Sequence, residues 1–462
     1  MRLKNFLLLL IFPVPMLFPA GGLGQERAVD FYDQARREEF RGELTNALAD
    51  YNHTIGLAPK YPNAYLARGT VKAAEGSFEG AVADYDLALQ LSPKYVDAYY
   101  ARANVKYASR DFDGALADYD TAIKLSPNYA WAYAGRGNVL LMKGDNGGAF
   151  TNYSQAIRLN PGDANTIGNL AAFTWDVRTN AVVAERLYRR CLELAPGDAC
   201  HTRQFADFMW HARANLNEAE GLYRKLLELD PTNADYVKDL GYFMQYGRTN
   251  LDQAELNYRK AVELAPADAA QAFSLGNFLQ YSRTNLDAAE HLYRQTVVLE
   301  PTNADYVQDL GYFMQHARAN YDAAESLYRQ AVELAPTSAY NVYCLAEFLA
   351  NCRTNYEAAE YEYRRARTLA PDDNFYLECL TDFFVKSKKQ PAAAEQVIRQ
   401  AMVADPTNAV LVCDLASFMA GVQTNYSAAD RLYRQALELA PNQHAVKKEQ
   451  ARFLKEHPEF EK

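Results

Sequence analysis

A chain of 462 residues that is 49% hydrophobic and 23% charged can bury an extensive core, which excludes a disordered polypeptide. Its net charge of −10, without any lysine- or arginine-rich block, excludes a general phosphate-binding nucleic-acid surface. Length alone would imply about three globular domains, but an internal repeat overrides that expectation, because stacked units build their core from neighbours.

The first residues, MRLKNFLLLLIFPVPMLFPAGGLGQ, differ in composition from all that follow. Arg2 and Lys4 precede an uncharged run from Phe6 to Phe18, and the small residues Ala20, Gly21, Gly22 and Gly24 come next. That order predicts a secretory signal peptide over 1–24. The run of 13 residues falls short of the roughly 20 that a spanning helix needs. An exported protein, periplasmic or extracellular and without a stable span after cleavage, is therefore expected; a retained anchor is the alternative.

A proline then closes a short apolar run at Pro59, Pro93, Pro127, Pro161, Pro196 and Pro231, and again at Pro266, Pro301, Pro336, Pro371, Pro406 and Pro441. The first three intervals are 34 residues and the rest 35. The stretch Pro231 to Pro266 returns at Pro301 to Pro336 with 27 of 36 positions identical. Within each unit, small and apolar residues three and four apart predict two amphipathic helices, A and B. In the unit 62–95, Gly76 permits the turn, Ser77 is placed to cap helix B, and Pro93 stops it. In the longer units an Arg-Thr-Asn or Arg-Ala-Asn turn replaces Gly-Ser, as at Arg178, Arg213, Arg248, Arg283, Arg318 and Arg353. Its asparagines (Asn180, Asn215, Asn250, Asn285, Asn320, Asn355 and Asn425) stand where helix B needs an N-cap. In the eleventh unit Pro391 starts helix B instead. The extra residue predicts a change in stacking near 164.

Two further columns run through the longer units. Phenylalanine from Phe173 to Phe418 marks a core spine in helix A. Acid–arginine pairs four apart, from Glu185–Arg189 to Asp430–Arg434, read as intrahelical ion pairs that could also tie repeats. The six cysteines lack paired spacing and read as small buried apolar residues. After Pro441, Val446, Phe453 and Leu454 predict a last amphipathic helix.

Tyr65, Gly69, Ala81, Tyr85, Ala88 and Pro93 recur as Tyr133, Gly137, Ala149, Tyr153, Ala156 and Pro161. This pattern resembles the tetratricopeptide repeat family, and with the N-terminal segment it resembles a bacterial-type exported member. The resemblance implies an all-α fold, a right-handed α-solenoid superhelix of about twelve stacked helix-turn-helix units. Four 34-residue units would fill 25–163 and eight 35-residue units 164–443, with a capping helix and tail over 444–462.

The resemblance also implies a concave groove lined by A helices at positions two, five, nine and twelve of each unit. Candidate partner-binding residues there are Tyr100, Asn104, Trp131, Asn138, Trp175, Arg203, Asp207, Trp210, Lys238, Tyr242, Asn277 and Tyr312. Tyrosine, tryptophan and interspersed polar groups are what a peptide-binding surface needs. The family's carboxylate clamp is incomplete, since Tyr100 and Ala134 stand where lysine is required beside Asn104 and Asn138. No histidine, cysteine or acid cluster has metal-ligand spacing, and there is no phosphate loop or nucleophile elbow. A non-catalytic scaffold without cofactor or metal is expected, binding a protein or peptide and no nucleic acid. The alternatives are an accessory subunit of an envelope secretion or polysaccharide-export assembly, and a carbohydrate-binding array.

Overall fold

The computed structural model describes residues 23–177 and 179–461. The expected signal segment lies outside them except for Leu23 and Gly24, which open the first helix; Arg178 also lies outside. Among the described residues the secondary structure is helical, and the helices follow one another as twelve A–B pairs and a last single helix, His444–Glu456. We number the pairs as repeats 1 to 12, so that repeat 7 spans 234–268 and repeat 9 spans 304–338. After the first helix, Leu23–Arg41, nearly every A helix has 13 residues and every B helix has 14. The chain divides into two compact units, 1–231 and 232–462.

In the first unit the 34-residue repeats turn through one left-handed residue, Gly42, Gly76, Arg110 or Gly144, with φ of 78°, 85°, 65° and 81°. The Ser77 amide closes the turn by donating to the carbonyl of Lys72. Contrary to expectation, the Ser77 side chain makes no cap bond. Aspartates do that work in the next two repeats: Asp111 accepts from the Gly114 amide and Asp145 from the Gly148 amide. Beyond 164 the predicted asparagine caps all form. Asn180, for example, accepts from Val183 at 3.2 Å, and in the second unit Asn250 accepts from Gln253 at 3.1 Å. B helices of repeats 1 to 3 pack more extensively on the following A helix than those of the 35-residue repeats do.

The longer turn places its threonine or alanine in the left-handed region, with φ of 53° at Thr249, 54° at Thr284 and 52° at Thr354. A β-branched residue is strained there, whereas asparagine visits this region readily. The triple variant Thr249→Asn/Thr284→Asn/Thr354→Asn is expected to gain about 0.5–1 kcal/mol per site in urea unfolding. An unchanged midpoint would sink this assignment of strain.

In repeats 7 to 10 of the second unit, the helix-B tyrosine meets the helix-A phenylalanine of the next repeat. Ring centroids lie 5.2 Å apart for Tyr258–Phe278, 5.1 Å for Tyr293–Phe313 and 5.4 Å for Tyr328–Phe348. The phenylalanines are buried, as the ladder predicts. Outside this spine, the intrahelical pairs form as expected and also bridge repeats. Glu290 binds Arg294 within its helix and takes a second cation, Arg318, from the next repeat's turn at 2.8 Å. Arg318 reaches Asp287 as well and lies over the Phe313 ring. The same arrangement recurs with Arg283 and Arg353. In repeat 11, Lys388 replaces the arginine and still meets Glu360.

The last helix seals the second unit by burying Val446 and Phe453, with Phe453 against Tyr433. The cysteines correct one expectation. All six are free, but only Cys191 and Cys413 are buried; Cys200 is exposed, and Cys344, Cys352 and Cys379 are intermediate.

Candidate surface on the A helices

Within each compact unit, several A helices touch the A helix of the following repeat, whereas successive B helices make weaker contacts. The closer spacing makes the A side the inner side of each stack. Which side chains reach solvent there differs from the sequence expectation. Residues four, three and four apart share one helical face. The face that opens to solvent in the 35-residue repeats carries positions two, six, nine and thirteen. Position twelve, and position five except at Arg203 and Glu378, turn back into the seams between helices.

That geometry sorts the candidates. Tyr100 is buried, packed against Tyr119 and Tyr129, because position five faces the neighbouring repeat. It does not belong to an open groove. Trp131 stands edge-on to Tyr129 at 5.5 Å, and Trp175 edge-on to Phe208 at 5.5 Å, so both are interlocked with adjacent rings. Trp210 lies beside His211, with Arg203 and Asp207 exposed on the same helix. Lys238 forms an ion pair with Asp235 at 2.7 Å.

Several position-nine residues are committed internally. Tyr119 donates to Asn104 at 2.5 Å, Tyr153 to Asn138 at 2.7 Å, and Tyr293 to Asn277 at 2.5 Å. Tyr223 donates to Asp207 in the same way. These helix-B tyrosines hold helix A by its polar side chain. Burial pushes the phenols of Tyr119, Tyr153 and Tyr293 above their ordinary range, so they remain protonated donors.

Repeats 7 and 9 break the pattern. Here Tyr258 donates to Gln245 at 2.9 Å and Tyr328 to Gln315 at 2.7 Å, both at position twelve. Position nine is released from that duty, and it carries Tyr242 and Tyr312, 51% and 43% exposed. Sequence reasoning selected these two but missed their neighbours. Tyr246 sits 4.7 Å from Tyr242 between ring centroids, and His316 4.2 Å from Tyr312. Tyr281 and Tyr340 are exposed on adjoining A helices. The missed signal was helical phase: position thirteen lies over position nine, and position six lies below it.

Asp309, at position six, is partly buried beside these rings. Burial and then the Asp305 charge push its carboxyl up to about 6. Among the described residues no group of histidine, cysteine and acidic side chains could hold a metal ion, and no helix is long and apolar enough to cross a membrane.

Two overlapping segments, 69–109 and 103–144, match the TPR repeat family model. Residues 69–144 therefore carry tetratricopeptide repeats. The matched residues lie in repeats 2 to 4, with the single-glycine or arginine turns, and the 35-residue repeats with their wider turn lie beyond them. Among solved structures, the chain is similar to yeast Tom70 at a TM-score of 0.43 and 17% identity, over 92% of this chain and 98% of that one. It is also similar to YrrB, described as a TPR protein with an unusual peptide-binding site, at a TM-score of 0.31 and 25% identity. That similarity covers 39% of this chain and 92% of the other. No curated protein matches the chain.

Proposed function

We propose that this tetratricopeptide-repeat chain is a non-catalytic interaction scaffold that holds an extended segment of a partner protein along the A helices of residues 232–462. The observation that carries the reading is the row of exposed tyrosines at Tyr242, Tyr246, Tyr281, Tyr312 and Tyr340. Tyrosine supplies large contact area at low conformational cost and is enriched in binding hot spots. Exposed leucines on B helices, such as Leu256, are scattered singly and need no partner. The composition of residues 1–24 supports a second element of the proposal, that binding takes place after export; a mature N-terminus near residue 25 would be the check.

A photo-crosslinking residue placed at Tyr281 should capture the partner, while one at Leu256 should not. The variant Tyr242→Ala/Tyr281→Ala/Tyr312→Ala should lose about tenfold or more in affinity with unchanged circular dichroism, because these side chains support no core. Equal capture from both faces would defeat the reading.

A further inference from the structure

The inner face of residues 232–462 has an unequal charge balance. On the outer face each repeating helix-B acid is matched, as Glu290 is matched twice over by Arg294 and Arg318. On the inner face the lysines are already engaged, Lys238 by Asp235 and Lys386 by Asp382 at 2.6 Å. Among the described residues, no lysine or arginine is paired with Asp305 or Asp309. Exposed tyrosines stand on the Asp309 helix and on the A helices before and after it. Tyr312 lies on the Asp309 helix, Ala304–His316, and Tyr340 on Ala339–Asn351, which touches it. Tyr281 ends the preceding A helix. Burial, followed by Tyr312 and Asp309, raises the Tyr281 phenol; Cys344 and burial, followed by Asp309, raise that of Tyr340.

We propose that Asp309, Tyr281, Tyr312 and Tyr340 form a recognition site for a lysine side chain presented by an extended segment of a partner protein. The inference rests on the scaffold reading above and adds the chemistry that the surface reads. An ammonium over a tyrosine face is attracted by the ring quadrupole, most strongly where water is partly excluded. A carboxylate at the base of the same site supplies the counter-charge, and Asp305 on the adjoining turn extends it. The face therefore selects for cationic segments and against acidic ones.

The test titrates the full chain with two fluorescent peptides, one alternating lysine with alanine and the other alternating glutamate with alanine, at low salt and neutral pH. The lysine peptide should bind about tenfold or more tightly than the glutamate peptide, and raised salt should weaken it. Asp309→Asn and, separately, Tyr312→Ala should each weaken it by about fivefold or more. Asp309→Asn keeps the side-chain volume and removes a partly buried charge, so lost binding cannot be ascribed to unfolding; a thermal melt on the same sample verifies this. Lysine-peptide affinity unchanged in both variants overturns the site, as does the absence of binding. Preference for the glutamate peptide, with that binding lost in Tyr312→Ala, would overturn the cation site while leaving the scaffold reading in place.

Discussion

Phe313→Ala is expected to cost about 3–5 kcal/mol and to divide the unfolding of residues 232–462 into two transitions. Phe313 is 1% exposed and meets Tyr293 of the preceding repeat at 5.1 Å. Removing the ring leaves a cavity at a repeat boundary, and the turn above it loses the surface on which Arg318 lies. In a solenoid each repeat contacts only its neighbours, so one weakened interface cannot be compensated from elsewhere. Repeats 7 and 8 should then separate from repeats 9 to 12. Urea unfolding should show a lower first midpoint and a reduced slope, and hydrogen exchange should accelerate first around 285–320. A loss below about 1 kcal/mol with an unchanged slope would show that the phenylalanine spine does not couple the repeats.

Much of this architecture was legible because it is written in local chemistry. Asparagine after a turn is a cap wherever the helix begins, and each predicted asparagine from Asn180 to Asn425 acts as one. Phenylalanine at a fixed helical phase is buried for the same reason in each 35-residue repeat. The candidate surface was less legible, because solvent exposure depends on which seam a side chain faces. Tyr100 and Tyr312 are both helix-A tyrosines, yet position five directs Tyr100 into the neighbouring repeat and position nine directs Tyr312 outward. Nor does sequence spacing reveal that Tyr258 and Tyr328 select Gln245 and Gln315 as acceptors. The turn arginines were visible as a motif, but their partners lie about 30 residues earlier on another helix, as with Arg318 and Asp287.

Asp309→Asn combined with Asp414→Asn is expected to stabilise the protein at pH 7 by about 2–4 kcal/mol, even as the first substitution weakens cation binding. Burial holds both carboxyls up to about 6, from an ordinary value of 3.8. Asp305 adds to the rise at Asp309, while Glu378 and Glu449 add to it at Asp414, whose Oδ2 has no hydrogen-bond partner. A carboxyl raised in the folded state binds its proton more tightly there than in the unfolded chain. Its favourable contribution is complete below the unfolded value near 4 and disappears as pH rises through 6. These two groups should therefore make the wild-type protein more stable as pH falls from 7 toward 5, and the double variant should lack that part of the slope. Full conversion of both shifts would give about 6 kcal/mol, and the lower figure allows for solvent screening of partly exposed groups. Stability measured by urea unfolding at pH 5 and pH 7 decides the matter: parallel changes in wild type and variant would overturn it. A chain that keeps a destabilising carboxylate among exposed tyrosines gives up folding energy at the surface proposed to meet its partner. The same Asp309→Asn substitution should thus move stability and lysine-peptide affinity in opposite directions, a combination that loss of a structural contact alone would not produce.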